Sequence, residues 1–216
     1  MSEETRAARR GPEIANCLHI VSVMDYLSET TPFADLSIAD ICKASDISRS
    51  TFYRLFDDKF DAVNWFIYEV SRLGHTQTGR TLSWHDASFT TLSGFLIARN
   101  LLVSASKAAG YESTGETSVR LRIADLTESL RLRGVQVDDD LQYQIEYFAY
   151  SEIPAVHRWY AQSHIMSVET FARHIDSVVP RRLHDLLAMP DDPAKTVPLT
   201  IGRISALLHQ REEQAL

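Results

Sequence analysis

The sequence predicts an all-α protein of about nine or ten helices, on three observations. Apolar residues recur three and four positions apart through most of the chain, and no window alternates convincingly with a period of two. Ser or Asp opens several of these stretches with an acid three residues on, the pattern of a helix N-cap and its capping-box partner. Gly and Pro stand between the stretches, as at Gly74, Gly110, Gly134 and Pro180, where helices stop. With 216 residues and 44% hydrophobic content the chain can bury a substantial core. It shows no internal repeat and no low-complexity segment.

Residues 1–10 read as a flexible arm, with Arg6, Arg9 and Arg10 either solvated or reaching a phosphate or minor groove. From Pro12 to Glu29 the spacing of Ile14, Leu18 and Val21 predicts a first helix, with Pro12 suited to its first turn. A loop follows over Thr30–Asp35.

The stretch from Leu36 to Lys59, LSIADICKASDISRSTFYRLFDDK, predicts two short helices and a tight turn. Ile38, Ile41 and Cys42 share one face, behind Ser37 as N-cap and Asp40 as its partner. Ser48 is a fresh N-cap, and Phe52, Leu55 and Phe56 form the inner face of the second helix. Such a pair is the geometry that sets a second helix in the major groove of DNA. Arg49, Ser50, Thr51, Tyr53 and Arg54 are then outward and able to bond bases or phosphates. Asp58 and Asp61 predict another capped start, placing Lys59 in a first helical turn where it and the backbone N–H groups suit a phosphate.

The run from Ile41 to Lys59, with Ala44, Ser45, Asp46, Ile47, Ser48, Thr51, Phe52, Tyr53 and Phe56 between, resembles the DNA-binding domain of TetR-family transcriptional regulators. The resemblance covers residues 11–60, and Tyr53, Phe56 and Lys59 after a Ser-capped helix are its most diagnostic part. Asp46 stands where the family usually has Gly, at a position needing positive φ, which Asp tolerates better than most residues. Cys42 replaces a usual Ala and buries equally well. The resemblance implies Ser37, Ser48, Arg49, Ser50, Thr51, Tyr53, Arg54 and Lys59 as the DNA-binding set, a double-stranded operator as partner, and a C-terminal regulatory and dimerisation domain over residues 61–216, joined by a helix over 59–73.

Charge lends this no general support. The chain carries −7 overall, and residues 1–60 hold seven basic and ten acidic side chains. Binding has to rest on local placement, with modest and salt-sensitive non-specific affinity. No apolar window is long enough for a membrane span, and the N-terminus lacks a signal-type core. Two cysteines, Cys17 and Cys42, make no disulfide framework, so a cytoplasmic location is expected. Both thiols fall in the head, as buried inert groups or as a redox switch.

Beyond the linking helix, Ser83 and Asp86 cap a helix over 84–108, apolar on more than one side. Residues 116–133 carry the stripe Val119, Ile123, Leu126 and Leu130, with Arg120, Arg122, Arg131 and Arg133 assigned to the solvated side. Asp138–Asp140 open a helix over 138–163 that Pro154 should kink. Ser167 caps the next, with Val168, Phe171, Ile175 and Val178 inward, then a short continuation after Pro180. Pro198 fits the start of a last helix burying Ile201, Ile204 and Leu208. The segment QIEYFAYSEIPAVHRWYAQ weakly resembles the branch of the family that includes dihydroxyacetone-kinase activators.

The family's habit implies a homodimer through the last two long helices, here 167–187 and 197–211, and an effector pocket among the helices at 84–108, 116–133 and 139–163. Tyr147, Phe148, Glu152 and Trp159 are the candidate pocket residues. Glu152 interrupts an apolar stripe, so it needs a ligand, an internal ion pair, or a re-phased helix that exposes it. No catalytic constellation or cofactor motif is present, and His157, His164, His174 and His184 lack the i, i+4 spacing of a helical zinc site, so no metal is expected. The function expected is a DNA-binding regulator, a repressor released by an effector. The alternatives are the same fold governed by a partner protein, or a helical carrier or enzyme.

Overall fold

A computed structural model describes residues 11–162 and 166–214. Among them are eleven α-helices, one 3-10 turn and no strand beyond an isolated bridge between Thr78 and Leu82. The all-α class is the one predicted, with a slightly higher helix count. The helices are α1 (Gly11–Leu27), α2 (Ile38–Ala44), α3 (Arg49–Leu55), α4 (Lys59–Leu73), α5 (Trp84–Ile97), α6 (Arg99–Ala105), α7 (Glu112–Leu132), α8 (Asp139–Ala161), α9 (Val168–Val178), α10 (Arg181–Leu187) and α11 (Ile201–Gln214). None is long and apolar enough to cross a membrane.

Part of the higher count arises at Ala98. The helix expected over 84–108 breaks there, at φ −121° and ψ 40°. The break frees backbone N–H groups at the start of α6, and Asp25 of α1 meets them. Its carboxylate accepts the Leu101 N–H at 2.9 Å and an Asn100 side-chain N–H at 3.4 Å. Burial raises the Asp25 pKa, against those hydrogen bonds. A cap supplied from another helix leaves no local mark in the sequence.

The chain divides into two compact units. The first takes in the described residues up to Glu69, Ile97–Tyr111 and those from Leu199 on; the second takes in Val70–Leu96 and Glu112–Pro198. The head expected over 11–60 thus lies in a unit that also contains α6 and α11. α1 is its centre. Ile14, Cys17, Leu18, Ile20, Val21 and Met24 are all buried on it, and α2, α6 and α11 pack against it. α11 buries Ile204 and Leu208 but leaves Ile201 exposed, and Pro198 precedes the helix. The last helix therefore packs on α1 through part of its apolar face.

In the second unit α7 packs along α8, and α10 touches both. Val119, Ala149 and Ile153 form one cluster, with Ile123 packed against it, and Leu126, Leu130, Leu141 and Ile145 are buried along the same helices. α8 continues through Pro154. The proline removes the N–H that would bond the Tyr150 carbonyl, but both residues are exposed, so water can take that carbonyl. On α9 the buried residues are Ala172 and Ile175, while Val178, expected inward, is 70% exposed. Gly74 ends α4 where a Cβ would lie 2.7 Å from the Ala87 carbonyl, so only glycine fits.

Asp46 is the one non-glycine residue with positive φ (54°) among those described. Asp46→Gly is expected to raise the unfolding free energy by up to about 1 kcal/mol, and Asp46→Val to lower it by about 1–2 kcal/mol. Urea denaturation of the two variants beside the parent at one pH measures both.

Candidate nucleic-acid interface

α2 and α3 are seven-residue helices joined through Ser45–Ser48. Ser37 caps α2 by accepting the Asp40 N–H at 3.2 Å, while the Asp40 carboxylate accepts the Ser37 N–H at 3.3 Å. The Ser37 hydroxyl, and then its backbone N–H, hold the Asp40 carboxyl below the usual range. Ser48 caps α3, accepting the Thr51 N–H at 3.0 Å, and its hydroxyl lies 2.7 Å from that of Ser50 and 2.9 Å from that of Thr51.

The two faces of α3 differ completely. Phe52, Leu55 and Phe56 are buried, with ring centroids 5.8 Å apart for Phe52–Phe56 and 5.9 Å for Phe56–Trp65. Ser48, Arg49, Ser50, Tyr53 and Arg54 are exposed, and Thr51 is half-buried. Tyr53 is held edge-on against Phe52 at 5.8 Å, which steadies a ring that is still 54% exposed. A rigid helix thus presents two guanidinium groups, three hydroxyl groups at its first turn and a phenol from one surface.

Asp58 accepts the Asp61 N–H at 2.8 Å as predicted, and the Asp61 carboxylate accepts the Asp57 N–H at 3.1 Å. Lys59 differs from expectation. Its Nζ donates to the carbonyls of Phe33 at 2.7 Å, Ala34 at 3.0 Å and Leu36 at 2.8 Å, and lies 4.8 Å from the centroid of the Phe33 ring. All three ammonium protons are used, so none remains for a phosphate. Desolvation lowers its pKa, against the attraction of Asp35 and Asp58. Lys59 is a clamp on the loop before α2. Ser37 is exposed but its hydroxyl is committed to the cap. Arg6, Arg9 and Arg10 of the expected arm lie outside the described residues. Cys17 and Cys42 are both buried, and burial pushes the Cys42 thiol up, away from the reactive thiolate.

This architecture has a solved counterpart. A chain described as "Dihydroxyacetone kinase operon activator DhaS" matches with a TM-score of 0.59, over 76% of this chain and 93% of that one, at 13% identity. At that identity the likeness is one of fold. No family model and no curated protein matches the sequence.

The candidate effector residues differ in exposure. Tyr147 is exposed, whereas Phe148, Glu152 and Trp159 are buried. Trp159 stacks on Phe171 at 5.2 Å and donates its indole N–H to the Met166 carbonyl at 2.8 Å, joining α8 to the start of α9. Glu152 has a partner, Arg122, which is buried rather than solvated. Arg122 Nε and Nη2 reach the two carboxylate oxygens at 2.7 and 3.3 Å. Its Nη1 donates to the His75 carbonyl at 3.0 Å and the Thr78 hydroxyl at 3.2 Å, and its guanidinium carbon lies 5.6 and 5.9 Å from the Trp84 and Phe148 ring centroids. Of the readings open for Glu152, the internal ion pair is the one observed. Arg122, expected on the solvated side, follows Val119 by three and precedes Leu126 by four, within the apolar stripe. That position was the available signal.

His75 completes this cluster, with Nε2 3.5 Å from Glu152. Burial, and then the Arg122 charge, lower its pKa to about 4, against Glu152. The imidazole is therefore neutral at pH 7. Its folded pKa lies below its unfolded value, so its contribution to stability is present above about pH 6.5 and is lost as pH falls toward 4. The parent should lose up to about 3 kcal/mol of unfolding free energy from this group between pH 7 and pH 4. Denaturation midpoints followed over that range should fall less steeply in His75→Gln.

Proposed function

We propose that the chain is a sequence-specific DNA-binding transcriptional regulator of TetR type, working as a homodimeric repressor whose DNA affinity is set by an effector acting on the second unit. The observation that carries the reading is α3. Its inner face is fixed by Phe52, Leu55 and Phe56, and its outer face offers Arg49, Ser50, Thr51, Tyr53 and Arg54 beside the Ser48 cap. In this reading Arg49 and the hydroxyls of Ser50 and Thr51 address base edges, and Tyr53 and Arg54 address phosphates. Lys59 acts indirectly, by holding the loop before α2. Fold likeness to an operon activator agrees with a regulator.

A two-fold operator calls for a two-fold protein. Beside the last two helices, a further surface put forward for the dimer is the exposed stripe Tyr143, Tyr147 and Tyr150 on α8, where Tyr143 and Tyr147 stack at 6.4 Å. Large amphipathic rings on one helix face suit an interface. Release would be a population shift, the effector favouring a state that fits the operator poorly. One observation favours a second reading, control by a partner protein. Glu152, the buried carboxylate best suited to an effector, is already satisfied by Arg122.

Arg49→Ala and Tyr53→Ala should each weaken binding about tenfold or more in a mobility-shift titration at fixed salt, while Thr51→Val should change sequence preference. Unaltered affinity in both Ala variants, with folded spectra, would sink the DNA-binding reading. Tyr147→Glu should shift the sedimentation profile from dimer to monomer; a profile identical to the parent would remove α8 from the interface.

A further inference from the structure

In the second unit, His85, Asp86 and Asp191 bring an imidazole nitrogen and two carboxylate oxygens within 4.8 Å of one another. We infer that these three side chains form a binding site for a divalent transition-metal ion of the zinc class. Asp86 stands in the first turn of α5 and is fully buried. Its Oδ2 accepts the Asp192 N–H at 3.1 Å, which holds the neighbouring Asp191 beside it. Its Oδ1 has no hydrogen-bond partner, and neither has Nε2 of His85, a residue only 8% exposed. A buried carboxylate oxygen without a hydrogen-bond partner, 3.8 Å from an imidazole nitrogen, is a position that a cation would match.

The two ring nitrogens face different groups. Nδ1 lies 3.8 Å from Asp86 Oδ1, and Nε2 lies 3.3 Å from Glu169 Oε2. Binding the ion through Nδ1 leaves the proton on Nε2, where a small turn of the partly exposed Glu169 carboxylate, 3.3 Å away, would accept it. This is the outer-shell arrangement that orients a ligating histidine and raises its basicity. Glu169 is itself steadied by Arg173 through its other oxygen. A nitrogen among the ligands selects zinc and its neighbours over magnesium or calcium. Three protein ligands leave a fourth position, open toward a recess of about 370 Å³ that His85, Glu169, Arg173 and Asp191 help to line.

Zinc bonds of about 2.0–2.2 Å require the ligand atoms to draw closer than 4.8 Å. Asp191 is exposed, in the segment between α10 and α11, and is the ligand free to make that move. The ion would fasten this segment to the start of α5. The site does not depend on the DNA-binding reading.

The test uses the full chain after treatment with chelator, titrated with zinc chloride in a calorimeter and melted with and without the metal, with magnesium chloride as control. One zinc per chain and a rise in melting temperature are expected, with no magnesium response. Asp191→Asn, at an exposed position that should not disturb folding, is expected to weaken zinc binding at least tenfold. Glu169→Gln should weaken it about 10–100-fold with the stoichiometry of one retained, and this separates an orienting role from a ligand's. No saturable zinc binding, parent-like affinity in Asp191→Asn, or an equal response to magnesium would each overturn the assignment.

Discussion

A charge taken out of water must be matched where it lands, and this chain is organised by how it meets that requirement. Lys59 gives its three protons to three carbonyls of the loop before α2 and so fixes that loop against the start of α4. Asp25 meets the free N–H groups of α6 and so holds a helix that the break at Ala98 would otherwise leave uncapped. In the second unit Arg122 and Glu152 neutralise each other, and Arg122 also gathers the backbone of His75 and the hydroxyl of Thr78. Apolar burial supplies the driving force for each unit, but these matches decide which arrangement of the helices is acceptable. Asp86 keeps one buried oxygen without a hydrogen-bond partner, and that oxygen is the centre of the proposed metal site.

The same requirement separates what was legible in the sequence from what was not. Local matches are written in short spacings, so the caps at Ser37, Ser48 and Asp58 could be read directly, as could the positive φ needed at Asp46. The inner face of α3 followed from Phe52, Leu55 and Phe56 alone. Long-range matches have no such signature. Lys59 in a first helical turn reads as a phosphate ligand because carbonyls 23 to 26 residues away carry no residue code. The run 84–108 reads as one helix because the group that caps its second half sits on α1. The amphipathic face of α11 announces that it covers something and leaves open whether that is α1 or another copy. His85 and Asp86 pair with an acid in a loop that has no periodicity, so a search for helical metal spacing passes over them.

These placements give the two units different kinds of work. In the first, charge matching fixes the loop before α2 and the start of α6, which under the proposed DNA-binding role suits a helix presenting Arg49, Tyr53 and Arg54 in one geometry. In that role rigid presentation would matter the more, because acidic residues outnumber basic ones over residues 1–60 and long-range attraction to DNA would contribute little. In the second, Glu152 is matched by Arg122, and the buried polar atoms without a hydrogen-bond partner include His75 Nε2 beside it and, at the start of α5, His85 Nε2 and Asp86 Oδ1.

Selection of bound fragments from genomic DNA at controlled salt, with Arg49→Ala run in parallel, decides whether α3 reads sequence. The parent should enrich a two-fold symmetric site whose half-sites lie about one helical turn, or a multiple of it, apart, and the variant should lose that enrichment. Fragments enriched equally by parent and variant, or no common sequence at all, would contradict the assignment of α3 as the reading element.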